Sequence, residues 1–170
     1  MTINEKARRI EAVALDVDGV LTDGTFWWGP GGEEFKRFSF ADVMGISLAT
    51  KAGLRFALIS GESSPQVDRF AAKMKIADVY KGCRDKRAAL EDFMSKHGLT
   101  AEQICFVGDD VNDIPALDCA GLPVAVGTSH QSLFAHAAYR TQRPGGDGAV
   151  REVLDLLLSV RCKEGQVAAV

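Results

Sequence analysis

The sequence predicts an α/β fold: one Rossmann-like domain with a parallel β-sheet and helices on both faces. Three observations carry this. Short, continuously apolar runs of strand length recur along the chain, each ending at a glycine or polar turn, as expected of strands covered on both faces. Between them lie segments of roughly ten residues with helical patterning, and such alternation builds parallel sheets through right-handed crossovers. The length of 170 residues, with 46% apolar and 25% charged positions, suits one domain with a full core.

The elements follow in order. Ala12 to Leu15 is apolar and bounded by charge, which suits a first strand. Gly24 to Phe40 then breaks the alternation. Thr25-Phe26-Trp27-Trp28, the turn Gly29-Pro30-Gly31-Gly32 and Glu33-Glu34-Phe35-Lys36-Arg37-Phe38 read as an antiparallel β-hairpin flap. Its aromatic faces are too apolar for a flap standing in water, so it is expected to pack on another subunit; the alternative is that it folds back on its own sheet. Helix Asp42 to Lys51, strand Leu54 to Ile59 and helix Pro65 to Met74 come next, followed by helix Asp85 to His97 and strand Gln103 to Val107. Helix Asp113 to Ala120, strand Leu122 to Val126 and helix Gly148 to Val160 complete a domain spanning 1–162. Residues 163–170 are expected to form a mobile tail.

Composition narrows the function classes. A net charge of −3 provides no basic field for nucleic acid, and aromatics are not interleaved with Lys or Arg. Cys83, Cys105, Cys119 and Cys162 form no CxxC pair, which argues against a zinc knuckle or a disulfide framework. No apolar run reaches membrane-spanning length and the first residues lack a signal-peptide core, so a cytoplasmic location is expected.

In parallel sheets of this kind, ligands bind beyond the carboxyl ends of the strands, and the polar residues there are complementary. Asp16 and Asp18 end the first strand at i and i+2, so both can reach one pocket. Asp-Val-Asp-Gly could also open a calcium loop, but the twelfth position from Asp16 is Trp27 where that loop requires Glu. Ser60 ends the second long apolar run, Lys86 opens a helix, and Asp109, Asp110 and Asp113 follow the run ending at Val107. Taken singly, Ser60 reads as a turn, Lys86 as a solvated helix residue, and Asp110 and Asp113 as an acidic first turn. Taken together they form an acid cluster with one cation and one hydroxyl. Converging carboxylates need a compensating cation, and an all-oxygen ligand set favours Mg²⁺, which commonly binds a substrate phosphate as well.

The motifs Asp16-Val17-Asp18-Gly19, Ser60-Gly61, Lys86 and Gly108-Asp109-Asp110-Val111-Asn112-Asp113 resemble, in order, those of the haloacid dehalogenase (HAD) phosphotransferase superfamily. The resemblance implies that Asp16 attacks phosphorus to give an aspartyl-phosphate and that Asp18 protonates the leaving alcohol, then deprotonates water. It also implies Mg²⁺ held by Asp16, the Asp18 backbone carbonyl and Asp109. The chemistry agrees: a carboxylate nucleophile divides one hard displacement into two, Ser60 can donate to a phosphoryl oxygen, and Lys86 can neutralise charge. Asp113 is placed to orient Lys86 or metal-bound water, and Asp110 either supports the site from behind or caps a helix.

The gaps between motifs leave no room for a cap domain. Over nearly the whole chain the sequence is similar to the capless 3-deoxy-D-manno-octulosonate 8-phosphate phosphatases and their nonulosonate 9-phosphate relatives. The matching pieces are Asp16 to Gly24, the hairpin, Gly108-Asp109-Asp110, and Gly145-Gly146-Asp147-Gly148-Ala149-Val150-Arg151-Glu152. That resemblance implies a homotetramer with hairpins and tails at subunit interfaces, a Mg²⁺ cofactor, and a small phosphorylated 2-keto-3-deoxy sugar acid as substrate. After Ser60-Gly61, octulosonate phosphatases usually carry Arg, whereas this chain has Glu62, which tilts the expectation towards a nine-carbon sugar acid. Lys73 is then a candidate partner for the substrate carboxylate. Arg151 could make a bidentate contact to it or simply pair with Asp155 at i+4. Asp42-Val43-Met44-Gly45 departs from the family's usual Asp-Gly-x-Gly. A phosphoprotein phosphatase, and a non-catalytic oligomerisation module of a sugar-activating enzyme, stand as alternatives.

Overall fold

Alternating side-chain direction along buried strands sorts this chain's apolar residues onto two faces of one sheet. The computed structural model describes residues 1–162. The expected tail at 163–170 lies outside the described residues. Helix α1 (Ile3–Arg9) opens at Thr2, whose hydroxyl accepts from the Glu5 amide while the Glu5 carboxylate accepts from the Thr2 amide. Strand β1 (Ala12–Leu15), the hairpin strands β2 (Trp27–Trp28) and β3 (Glu34–Phe35), α2 (Phe40–Lys51), β4 (Arg55–Ile59), α3 (Pro65–Met74) and β5 (Asp78–Tyr80) follow. Then come α4 (Lys86–His97), β6 (Ile104–Gly108), α5 (Ile114–Leu117), β7 (Leu122–Ala125), β8 (Tyr139–Arg140) and α6 (Ala149–Cys162).

Six strands form one parallel sheet in the order β5-β4-β1-β6-β7-β8. Val13 and Leu15 of β1 face a large core against α2, α3 and α6, which contribute Ile46, Phe70, Val153 and Leu157. Ala12 and Ala14 face the opposite side, where α4 and α5 pack through Leu90, Phe93 and Leu117. The chain proceeds from β1 towards β4 and β5, then returns to lay β6, β7 and β8 on the other side. The order reverses between β1 and β6, and a crevice at such a reversal is where open α/β sheets bind ligands. Among the described residues there is no separate cap domain, and no helix is long and apolar enough to cross a membrane.

Several details differ from the sequence expectation. The helix expected from Asp113 to Ala120 is a 3₁₀ turn, Val111–Asp113, followed by the single helical turn α5. At its start the Asp113 carboxylate accepts from the amides of Asp109 and Asp110, and Pro115 sits in the first turn of α5, where a missing amide donor is tolerated. Helix α1 and the edge strand β8 were not expected. Asp42 is buried within α2, where its carboxylate accepts from the amides of Gly148 (3.2 Å) and Arg151 (2.8 Å), satisfying donors at the start of α6.

Candidate active site

Strand ends build the site. The turn after β1 is tied down by backbone bonds from Val20, Leu21 and Thr22 to the Val17 carbonyl, and the Thr22 hydroxyl accepts from the amides of Gly19 and Gly24. Gly19 has φ +92°, and a Cβ there would lie 1.9 Å from Asp109 Oδ2. Only glycine lets the two motifs approach so closely. Late in the chain, Gly145 and Gly146 lie backbone to backbone on the same turn. The Gly146 amide donates to the Val20 carbonyl at 2.9 Å, and a Cβ on Gly145 would meet the Gly19 oxygen at 1.7 Å.

At the sheet reversal, Asp16 ends β1 beside β6 and its amide donates to Val107 at 3.0 Å. Lys86, the first residue of α4, is 2% exposed and donates to Asp16 Oδ1 at 2.8 Å and to Asp113 Oδ1 at 2.6 Å. Asp113 is fully committed, because its other oxygen accepts from the amides of Asp109 and Asp110 at 2.8 and 3.2 Å. Asp110 caps the 3₁₀ turn by accepting from the Val111 amide at 2.7 Å. Carboxylate oxygens of Asp16, Asp109 and Asp113 lie within 4.8 Å of one another.

This crowding shows in the protonation equilibria. Burial, aided by the negative charges of Asp113 and Asp109 and opposed by Lys86, pushes Asp16 well above the usual carboxylate range. Burial and the charge of Asp113 push Asp109 up to about 6. Burial disfavours charge on Lys86, but the carboxylates of Asp16 and Asp113 outweigh it and raise its pKa, so it stays cationic. Three carboxylates against one ammonium leave a formal surplus of two negative charges, which a divalent cation would neutralise. The donors are all oxygens, so the residues fit a hard cation. With both Asp113 oxygens already engaged, Asp16 and Asp109 are the side chains free to hold it.

A cavity of about 250 Å³ opens over the cluster, lined by Asp16, Asp18, Gly61, Glu62, Lys86, Asp109, Asp110, Val111 and Asn112. Ser60 does not line the cavity; it is buried next to the lining residue Gly61, its hydroxyl oxygen accepting from the Glu62 amide at 3.1 Å. The structure therefore gathers Asp16, Asp18, Ser60, Gly61, Glu62, Lys86, Asp109, Asp110 and Asp113 at one place. Two expected site residues lie elsewhere. Arg151 Nε is bonded to Asp155 at 2.7 Å, and Arg151 does not line this cavity. Lys73 lies on α3 in a neighbouring cavity of about 240 Å³, bounded by Lys36, Phe38, Phe40, Val43, Gln66, Arg69 and Phe70. Its ammonium is 5.8 Å from the centre of the Phe40 ring.

The sequence reading missed Lys36. Its side chain is 4% exposed, and Nζ lies 2.8 Å from Asp18 Oδ1 and 3.4 Å from Glu34 Oε1. Burial works against the charge on Lys36, but these two carboxylates prevail and raise its pKa. The two-residue alternation of the hairpin was the available signal: Glu34 and Lys36 share a parity, while Phe35 pairs with Trp27.

A parallel sheet ending in two acid-bearing turns, bridged by a buried lysine, defines a haloacid dehalogenase-like hydrolase. A family profile of that description matches residues 56–154, and the chain belongs to this family. Among curated proteins, 3-deoxy-D-manno-octulosonate 8-phosphate phosphatase KdsC of Escherichia coli (strain K12) is 40% identical over 158 residues, 93% of this chain and 84% of that protein. Among solved structures, the 3-deoxy-D-manno-octulosonate 8-phosphate phosphatase of Moraxella catarrhalis, in complex with magnesium, phosphate and KDO, has a TM-score of 0.90 at 36% identity. The match covers 93% of this chain and 91% of that one. The cobalt-bound deoxy-D-mannose-octulosonate 8-phosphate phosphatase of Haemophilus influenzae has a TM-score of 0.90 at 34% identity, covering 96% of each chain.

Proposed function

We propose that this protein is a Mg²⁺-dependent phosphatase of a small 2-keto-3-deoxy sugar acid phosphate. The observation that carries the reading is the Asp16, Lys86, Asp113 and Asp109 cluster at the sheet reversal, with a second carboxylate, Asp18, on the same cavity. Mg²⁺, when bound by Asp16, the Asp18 carbonyl and Asp109, supplies charge neutralisation for the transferring phosphoryl group. Lys86 shares that task and favours the ionised form of Asp16, which attacks phosphorus as the ester P–O bond breaks. Asp18 gives its proton to the departing alkoxide. It then takes a proton from water, whose oxygen attacks phosphorus and releases Asp16 and inorganic phosphate. The Ser60 hydroxyl donates to a phosphoryl oxygen.

The neighbouring cavity supports an acidic leaving group. Arg69 and Lys73 line it, and it adjoins the phosphoryl site through Lys36. We place the sugar carboxylate against that pair. The names of the relatives favour 3-deoxy-D-manno-octulosonate 8-phosphate. Glu62, lining the phosphoryl cavity, favours a nine-carbon relative whose additional hydroxyl or amide donors it could accept. Steady-state phosphate release from eight- and nine-carbon ester substrates, measured side by side with Mg²⁺ and with chelator, tests this. Hydrolysis of one of them with Mg²⁺ and none by Asp16→Asn is expected. Activity confined to phosphopeptides, or undiminished in chelator, would overturn the reading.

The hairpin leaves Phe26, Trp27, Trp28 and Phe35 half or more exposed. An apolar patch of this kind supports burial against further copies of the chain, and we propose a homotetramer.

A further inference from the structure

Asp18 must give up a proton and later take one, and its two oxygens are not equivalent. Oδ1 is held by the Lys36 ammonium at 2.8 Å, whereas Oδ2 is buried without a hydrogen-bond partner. Lys36 is itself clamped. Glu34 Oε1 lies 3.4 Å from it and also accepts from the Ser64 hydroxyl at 2.8 Å, while the Gln66 side-chain amide donates to the Glu34 carbonyl at 2.6 Å. Ser64 is the residue that caps α3, accepting from the Gln66 amide. A line of contacts therefore runs from the start of α3 through the hairpin to the carboxylate of Asp18.

We propose that Lys36 is a positioning residue for proton transfer, holding the Asp18 carboxylate through Oδ1 in the orientation it has on the phosphoryl cavity. A short carboxylate on a turn after a strand can rotate about two side-chain bonds, and an ammonium at Oδ1 removes that freedom. The inference rests on the phosphatase reading of Asp16 and Asp18.

Its test uses the full chain with Lys36→Met, Lys36→Arg and Glu34→Gln, assayed by rapid mixing with excess 3-deoxy-D-manno-octulosonate 8-phosphate or p-nitrophenyl phosphate, so that the first turnover and the later ones are both read. The sugar alkoxide needs a proton to leave and nitrophenolate does not. For Lys36→Met, transfer from the saturating sugar ester is expected to slow by about 10- to 100-fold. The nitrophenolate burst should stay within about threefold of wild type, followed by slow turnover because water activation still needs Asp18. Lys36→Arg should recover most of the loss, and Glu34→Gln, which leaves the ammonium in place but less firmly held, should lose less in the same direction. Equal slowing of both esters, or no loss, would overturn the proposal. Should Lys36→Met not fold, Glu34→Gln decides the matter by the same comparison. If wild type spares the sugar acid ester but hydrolyses another alkyl phosphate, the substrate reading fails and Lys36 is judged on that ester. A wild type inert on every monoester overturns both.

Discussion

Replacing Asp109 by asparagine is expected to stabilise the metal-free protein at neutral pH. The carboxyl of Asp109 sits at about 6 against an ordinary 3.8, raised first by burial and then by Asp113. The folded state therefore binds this proton more tightly than the unfolded state. Its contribution to stability is fully present below the unfolded value and is lost as pH rises from about 4 through about 6. The shift of roughly two units sets a ceiling of about 3 kcal/mol, and residual solvent contact reduces it to about 1–2 kcal/mol. Asparagine does not titrate and removes the slope. At about pH 7.5 in chelator, Asp109→Asn should melt about 3–8 °C above wild type, and at about pH 4 the difference should nearly vanish. Adding Mg²⁺ should raise the wild-type melting temperature and leave that of the variant almost unchanged, reversing the order. Thermal melts followed by circular dichroism check both. A variant less stable than wild type in chelator at neutral pH, or a difference independent of pH, would refute the claim that charge crowding, relieved by a cation, governs this site.

Lys86→Met leaves Asp16 and Asp113 buried without their ammonium and should cost about 3–5 kcal/mol in urea unfolding of the metal-free protein; a loss below about 1 kcal/mol would mean that Lys86 is not the compensating charge. Gly19→Ala forces a Cβ into the Asp109 carboxylate and strains a left-handed φ by about 1–2 kcal/mol, so Mg²⁺ affinity by calorimetry should fall at least about tenfold. Trp28→Glu places a charge on the exposed hairpin face, and light scattering should report smaller particles than for wild type while the far-ultraviolet spectrum is retained.

Most of the frame was legible because buried parallel strands are apolar throughout and stop where the chain meets polar turns. Ala12 to Leu15 was bounded correctly, and Pro65 to Met74 was marked by a serine cap and a proline at its first position. The short β8 has only two residues and no periodicity to read. Helix α1 did carry a signal, the Thr2 and Glu5 capping pair. The helix expected from Asp113 to Ala120 is shortened to Ile114–Leu117, and the carboxylate at its start, Asp113, is held by Lys86 and by the Asp109 amide. Asp16 and Asp109 stood out as charges at the ends of apolar runs, and Lys86, at a helix start, only when taken together with them. Lys36 did not, because it lies in a segment of alternating charge and aromatic residues where any lysine reads as solvated. Arg151 illustrates the reverse, since the i+4 acid that could claim its guanidinium was visible beside it and does so.

The contact between Gly145-Gly146 and the Gly19 to Thr22 turn joins a late part of the chain to an early one. During synthesis, β1 is made before both of its sheet neighbours, β4 and β6, and its acid-bearing turn waits longer still for the loop that braces it. Contacts this distant in sequence form late and fold slowly. The nascent chain therefore leaves this acidic turn unbraced until Gly145 and Gly146 have been made. The turn that carries Asp16 and Asp18 is therefore fully braced only when most of the fold is in place.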